Sequence, residues 1–268
     1  MSSYITLSYF DLVAASLFLV LNAVFSILLN LGLQRQLLIA SLRMIVQLLM
    51  VGLLLKAVFA AASPWITLAV AIAMVTFAGR EIWARQERKI AGIWGYGVGA
   101  SSMMIAGTLV TVMALTTQIE PSPWWSPQFA LPLFGMILGN TMTGVSLGLD
   151  TLHTTLYRER TAIEARLLLG HSRWEAVMPV TRRALRSGFT PIINAMAATG
   201  VVSLPGMMTG QILSGIDPQE AVKYQLLIMF LIGGATGLGV LGAVFASVWR
   251  LTDERHRLRL DRLSLAKG

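Results

Sequence analysis

The chain of 268 residues has no cysteine, and Asp, Glu, Lys and Arg together make up only 13% of it. The missing cysteine excludes a disulfide framework and any thiolate metal site, and leaves the redox compartment open. The scarcity of charge excludes an ordinary soluble domain, in which about a quarter of residues are charged. With 55% hydrophobic residues, most of the surface has to face lipid. Two motifs are missing as well. There is no G-x-x-x-x-G-K-[ST] phosphate loop, so ATP hydrolysis belongs to another polypeptide if it is used at all, and there is no H-E-x-x-H. An intramembrane enzyme is disfavoured by that second absence and by the lack of any embedded Asp or His pair. No catalytic, cofactor-binding or metal-ligating residue emerges, and the Cys-free, His-poor composition offers methionine thioethers as the only soft donors.

What is present is a series of apolar runs near 12–33, 37–60, 64–83, 93–117, 129–150, 187–213 and 221–249. About 20 apolar residues at 1.5 Å each cross a ~30 Å hydrocarbon core, so these runs predict an all-α, polytopic integral membrane protein of about seven transmembrane helices. No lysine or arginine precedes Arg35, so the first run reads as a retained helix and not a cleaved signal. Residues 1–268 read as one transmembrane domain, with a link at about 150–186 too short to build its own core.

The net charge of +8 is informative through its placement. Arg35 follows the first run. Arg80, Arg85, Arg88 and Lys89 follow the third, and Arg158, Arg160, Arg166, Arg173, Arg182, Arg183 and Arg186 follow the fifth. Arg250, Arg255, Arg257, Arg259, Arg262 and Lys267 fill the tail. The alternate links are nearly bare of positive charge. The positive-inside rule then puts the N-terminus outside and the C-terminus in the cytoplasm, with no call for nucleic acid as a partner. The link "IEPSPWWSPQF" carries three prolines that forbid a helix, and Trp124 and Trp125 suit the headgroup belt on the outer side.

Pairs of glycines four apart, Gly135 and Gly139, Gly144 and Gly148, Gly233 and Gly237, let helices approach closely where packing replaces the hydrophobic effect. No carboxylate falls in the middle of a run, and His153, His171 and His256 lie on the cytoplasmic side. Proton-coupled carriers need an embedded acid or histidine, so a self-powered carrier is disfavoured, as is a hard-cation site of carboxylates within the membrane. The polar residues left for a pathway are Arg43, with Gln47 one turn further on, and Asn140 and Asn194. Interhelical hydrogen bonding is the alternative role for both asparagines, and for Asn22; for Arg43 the alternative is a side chain reaching back to the interface.

The fifth link reads "TAIEARLLLGHSRWEAVMPVTRRALRSG". Its first part is rich in helix formers up to Leu169. Gly170 suits a left-handed helix end, and Ser172 with Glu175 spells a capping box for a second short helix. A helix–Gly turn–helix of defined shape reads as a docking element, against the alternative of a solvated loop that only carries charge. In "VVSLPGMMTGQ", Ser203, Pro205, Gly206, Met207 and Met208 interrupt a spanning run. Pro205 removes a backbone hydrogen bond and Gly206 lets the chain bend, so the segment is a candidate hinge or outer gate. Met207 and Met208 read as flexible packing. Beyond it, Asp217 is expected to cap a helix that Pro218 opens, with Glu220 completing a box.

Glu164, Ala165 and Gly170 match the E-A-A-x-x-x-G docking signature of ATP-binding-cassette permeases, with Arg166 in place of the second alanine. The stretches "GVVSLPGMMTGQILSGIDPQEAVKYQ", "LRMIVQLLMVGLLLK" and "GMILGNTMTGVSLGL" resemble the FetB-type permeases, a bacterial iron-export family that includes plant aluminium-tolerance permeases. The resemblance covers most of the chain. It implies an inner-membrane, multi-pass permease, not itself an enzyme. It also implies two copies paired with a separate ATP-binding-cassette ATPase that holds the ATP, and export of iron or another metal. A self-contained channel or secondary carrier for a small polar solute is the competing reading.

Overall fold

Inside a bilayer the backbone finds no water, so each spanning segment has to satisfy its own N–H and C=O groups. The chain does so with helices. The computed structural model describes residues 8–265; Lys267 lies outside them. The helices are α1 (Tyr9–Leu28), α2 (Gln34–Ala61), α3 (Pro64–Ala84), α4 (Ile93–Thr117), α5 (Pro127–Arg158), α6 (Arg160–Leu168), α7 (Arg173–Ala198), α8 (Gly206–Leu213) and α9 (Pro218–Leu251). Among the described residues six of these, α1 to α5 and α9, are long and apolar enough to cross a membrane. The seventh expected crossing takes another form. The predicted span 187–213 is two helices, α7 and α8, parted at residues 199–205.

The short helix expected after Ser172 is the start of α7, which runs unbroken for 26 residues to Ala198 through Pro179 and Pro191. At 1.5 Å per residue it is about 39 Å long. Arg182, Arg183 and Arg186 keep its composition below that of the other six, but its length suffices. α5 also outruns its predicted end at 150 and continues to Arg158, because the polar residues after Leu149 favour helix as much as link. At α9, Asp217 caps Gln219 N–H at 2.8 Å and Pro218 opens the helix as expected. Glu220 does not complete a box; it pairs with Lys223 at 2.6 Å, one turn on.

α5 is the centre of the bundle, flanked by α3, α4, α7 and α9. Its buried face carries Ile137, Val145, Leu149, Leu152 and Leu156. The last four of these pack with Met103 of α4, Val177 and Val180 of α7, and Val240 and Val244 of α9. α5 and α7 meet glycine on glycine: a Cβ on Gly144 would lie 2.8 Å from the Gly188 carbonyl oxygen of α7. A second cluster toward the far end joins Leu115, Leu133, Ile137, Ile228 and Ile232. α1 and α2 stand apart. Among the described residues Ser26 is the one buried in α1 and Val58 the one buried in α2.

One end of the bundle gathers the basic links. There β1 (Arg88–Ile90), in the α3–α4 link, pairs antiparallel with β2 (Leu263–Leu265) of the C-terminal tail. Leu258, Leu260 and Leu263 of that tail pack against the core. The tail therefore folds under the bundle, an arrangement that its charged sequence did not announce.

Candidate transport face and docking hairpin

At the basic end, α6 and α7 form a hairpin. Gly170 has φ +91°, the left-handed conformation that glycine adopts without a Cβ penalty. Two bonds close the end of α6: Gly170 N–H donates to Leu167 O at 3.1 Å and His171 N–H to Arg166 O at 3.2 Å. That pair is a Schellman closure. The capping box follows at once, with Ser172 Oγ accepting from Glu175 N–H and Glu175 accepting from Ser172 N–H at 2.8 Å. Arg183 and Glu159 pair across the base of the hairpin, and Ile163 anchors α6 in the core.

The hairpin then presents apolar side chains that no described residue covers. Leu168 is 89% exposed and Leu169 81%. Glu164, Ala165 and Gly170 are exposed on the same element. A turn bearing two bare leucines is an exposed apolar patch of the kind that marks an interaction site.

A second open surface runs along α5 and α7. The antiparallel register set by Gly144 against Gly188, and Gly148 against the Ala184 carbonyl, continues one turn to put Asn140 opposite position 192, two residues short of Asn194. Both are exposed, with Gly139 and Thr190 beside them, while Thr143 is half-buried. Asn140 Nδ2 donates to Met136 O at 2.9 Å within its own helix. Neither asparagine holds another helix, which was the alternative role for these residues. Thr151 Oγ1 donates to Ser187 Oγ at 2.9 Å lower on the same side, and Arg186 is exposed one turn below Thr190. A polar strip at membrane depth is costly against lipid, so it needs a wet or protein cover.

The other expected pathway residues are placed elsewhere. Arg43 of α2 pairs with Glu81 of α3 at 2.5 Å, and Gln47 is exposed one turn on. Glu81 escaped notice because it sits at the very end of its apolar run. Ser203, Pro205, Gly206, Met207 and Met208 do not bend a continuous helix. Pro205, with φ −60° and ψ 141°, is the residue before α8, and Gly206 is the first of it. The interruption is a closed loop in which Gly200 N–H donates to Ser203 O at 2.9 Å and Ser203 N–H to Ala198 O at 3.1 Å. Met207 packs on the Ile228 cluster, and Met208 is half-buried. Among the described residues no three of His, Cys, Asp and Glu gather as metal ligands.

Two histidines carry structure that the sequence did not signal. His153 is buried in α5, its Nδ1 3.1 Å from Arg88 O and its Nε2 3.4 Å from Ser247 Oγ. His256 of the tail accepts from Arg173 N–H at 3.0 Å, at the first residue of α7. Each lies beyond the apolar run that hydropathy could trace.

The sequence matches, over residues 9–251, the family described as "Uncharacterised protein family (UPF0014)". The chain belongs to that family. Among UPF0014 relatives, the membrane protein slr1647 of Synechocystis sp. is 39% identical over 85% of this chain and 87% of its own. The "probable iron export permease protein FetB" of Escherichia coli is 30% identical over 87% and 88%. The protein "ALUMINUM SENSITIVE 3" of Arabidopsis thaliana is 32% identical over 83% and 80%. No solved structure matches. UPF0014 membership and the six long apolar helices make this a multi-pass membrane protein, with the FetB-type resemblance extending through nearly all of it.

Proposed function

We propose that the chain is the permease subunit of an ATP-driven transporter of the plasma membrane, with its N-terminus outside and the basic end in the cytoplasm. The observation that carries this reading is the α6–Gly170–α7 hairpin with its exposed Leu168 and Leu169. It suits a separate ATP-binding-cassette ATPase that receives the two leucines in an apolar cleft and supplies the ATP hydrolysis. Two copies facing each other through α5 and α7 would cover Asn140, Thr143, Thr190 and Asn194 and give the cargo a polar path. The name of the Escherichia coli relative supports iron, or another metal, as the exported cargo. A self-contained channel or carrier for a small polar solute would use the same polar face and leave the hairpin idle.

The test is co-expression with an ATP-binding-cassette ATPase of the same organism. Leu168→Ser with Leu169→Ser should leave the permease folded, since both side chains are exposed. It should also lower recovery of the ATPase at least tenfold, as expected for anchors at the centre of an interface. Cells with the intact pair should accumulate less iron than cells with the variant. Uphill transport by the purified permease alone in liposomes would overturn the reading.

A further inference from the structure

The first N–H groups of a helix have no partner inside it. At α7 the third helical residue, Glu175, is served by Ser172 Oγ. The first, Arg173, is served from 83 positions away by His256 Nδ1 at 3.0 Å. Nδ1 accepts here, so the ring proton sits on Nε2. His256 is not a loose end. It sits on a tight turn in which its own N–H donates to Asp253 O at 3.1 Å, Arg257 N–H donates to Asp253 Oδ1 at 2.9 Å, and Arg257 Nε to Asp253 Oδ2 at 2.8 Å. The segment after that turn is tied down twice more. Arg259 N–H donates to Leu251 O at 2.8 Å, and Ala91 N–H donates to Arg262 O at 2.7 Å beside the β1–β2 ladder.

We propose that the C-terminal tail is a strap that sets the pose of the docking hairpin. Its positioning residue is His256, which caps α7, and its far end is fastened to the α3–α4 link at β1. Motion imposed on the hairpin by a partner is thereby shared with α3, α4 and α9, and not with α5 and α7 alone. The consequence for ATPase binding rests on the function proposed above; the tie between tail and hairpin does not.

His256 has φ +53°, and that allows a clean test. Glycine relaxes the backbone there but removes the acceptor, whereas asparagine tolerates the left-handed conformation and keeps an acceptor oxygen. His256→Gly should speed amide hydrogen exchange of residues 160–176 by roughly 2- to 10-fold, the range one net hydrogen bond commands. It should weaken binding of the partner ATPase by a similar factor. His256→Asn should stay near wild type in both. If the glycine variant matches wild type, or if both variants shift alike, the strap is refuted. If exchange responds as stated while no ATPase binds even the wild type, the strap stands and the proposed partnership falls.

Discussion

Replacing Gly144 with alanine asks α5 to hold a methyl group for which it has no room. The new Cβ would stand 2.8 Å from the Gly188 carbonyl oxygen, 2.8 Å from Thr236 Cγ2 and 3.1 Å from Val240 Cγ2. Ordinary carbon contacts begin near 3.5 Å, so α5 and α7 have to part by about 0.7 Å. Thr236 and Val240 can shift their methyl groups, but the Gly188 carbonyl is backbone and moves only with its helix. Overpacking of this kind costs about 1–3 kcal/mol. Alanine returns about 0.5–1 kcal/mol by being the better helix former. Gly139 lies on the same helix with nothing within 4 Å of its would-be Cβ, so Gly139→Ala receives the propensity gain alone. Gly144→Ala should therefore be less stable than Gly139→Ala by about 1–3 kcal/mol. Equilibrium unfolding of the two variants in mixed detergent micelles measures that difference. Equal stabilities would refute the close crossing of α5 and α7.

Ser172→Ala removes the side-chain half of the capping box and should cost about 0.5–2 kcal/mol, visible in the same unfolding assay. A double-mutant cycle on the Arg43–Glu81 pair should return a coupling of about 0.2–1 kcal/mol, the value for a pair that reaches water at the membrane surface. Asp261 in the tail is held down to about 2 by its hydrogen bonds from Arg259. A depressed carboxyl favours the folded turn of the tail at residues 259–262 above the ordinary carboxylate range and loses that contribution as pH falls through the lowered value. Limited proteolysis of the tail should thus stay slow at about pH 4 and speed up only on approach to about pH 2, and Asp261→Asn should remove that acid step.

The helices of the bundle were legible because lipid imposes a long apolar run on each crossing, and six of the seven runs map onto single helices, with α5 alone running well past its expected end. Gly170, Ser172 and Glu175 were legible because a left-handed position and a capping box are local chemistry. α7 was not, because prolines and arginines at 179, 182, 183, 186 and 191 break a hydropathy window without breaking the helix. Pro205 was misplaced for a related reason: a proline removes a donor wherever it sits, and only the backbone tells whether it kinks a helix or precedes one. Asn140 and Asn194 were picked out as polar residues at depth, but that both are exposed, two residues out of step across the α5–α7 crossing, depends on the Gly144–Gly188 register. The pairing of residues 88–90 with 263–265 joins segments far apart in sequence, each three residues long, and no periodicity is long enough to show it.

The position of the glycine crossing gives α5 a mechanical property. The helix is about 48 Å long at 1.5 Å per residue, and Gly144, where it rests on α7, lies close to its midpoint. From that fulcrum Arg158, at the root of the hairpin, is about 21 Å away and Pro127 about 25 Å the other way. A tilt of about 10° would carry the hairpin root some 4 Å in one direction and the Pro127 end a nearly equal distance in the other. A rigid α5 turning about that point would carry a displacement at its basic end to the opposite end with nearly the same size and reversed sign, with no hinge within the helix.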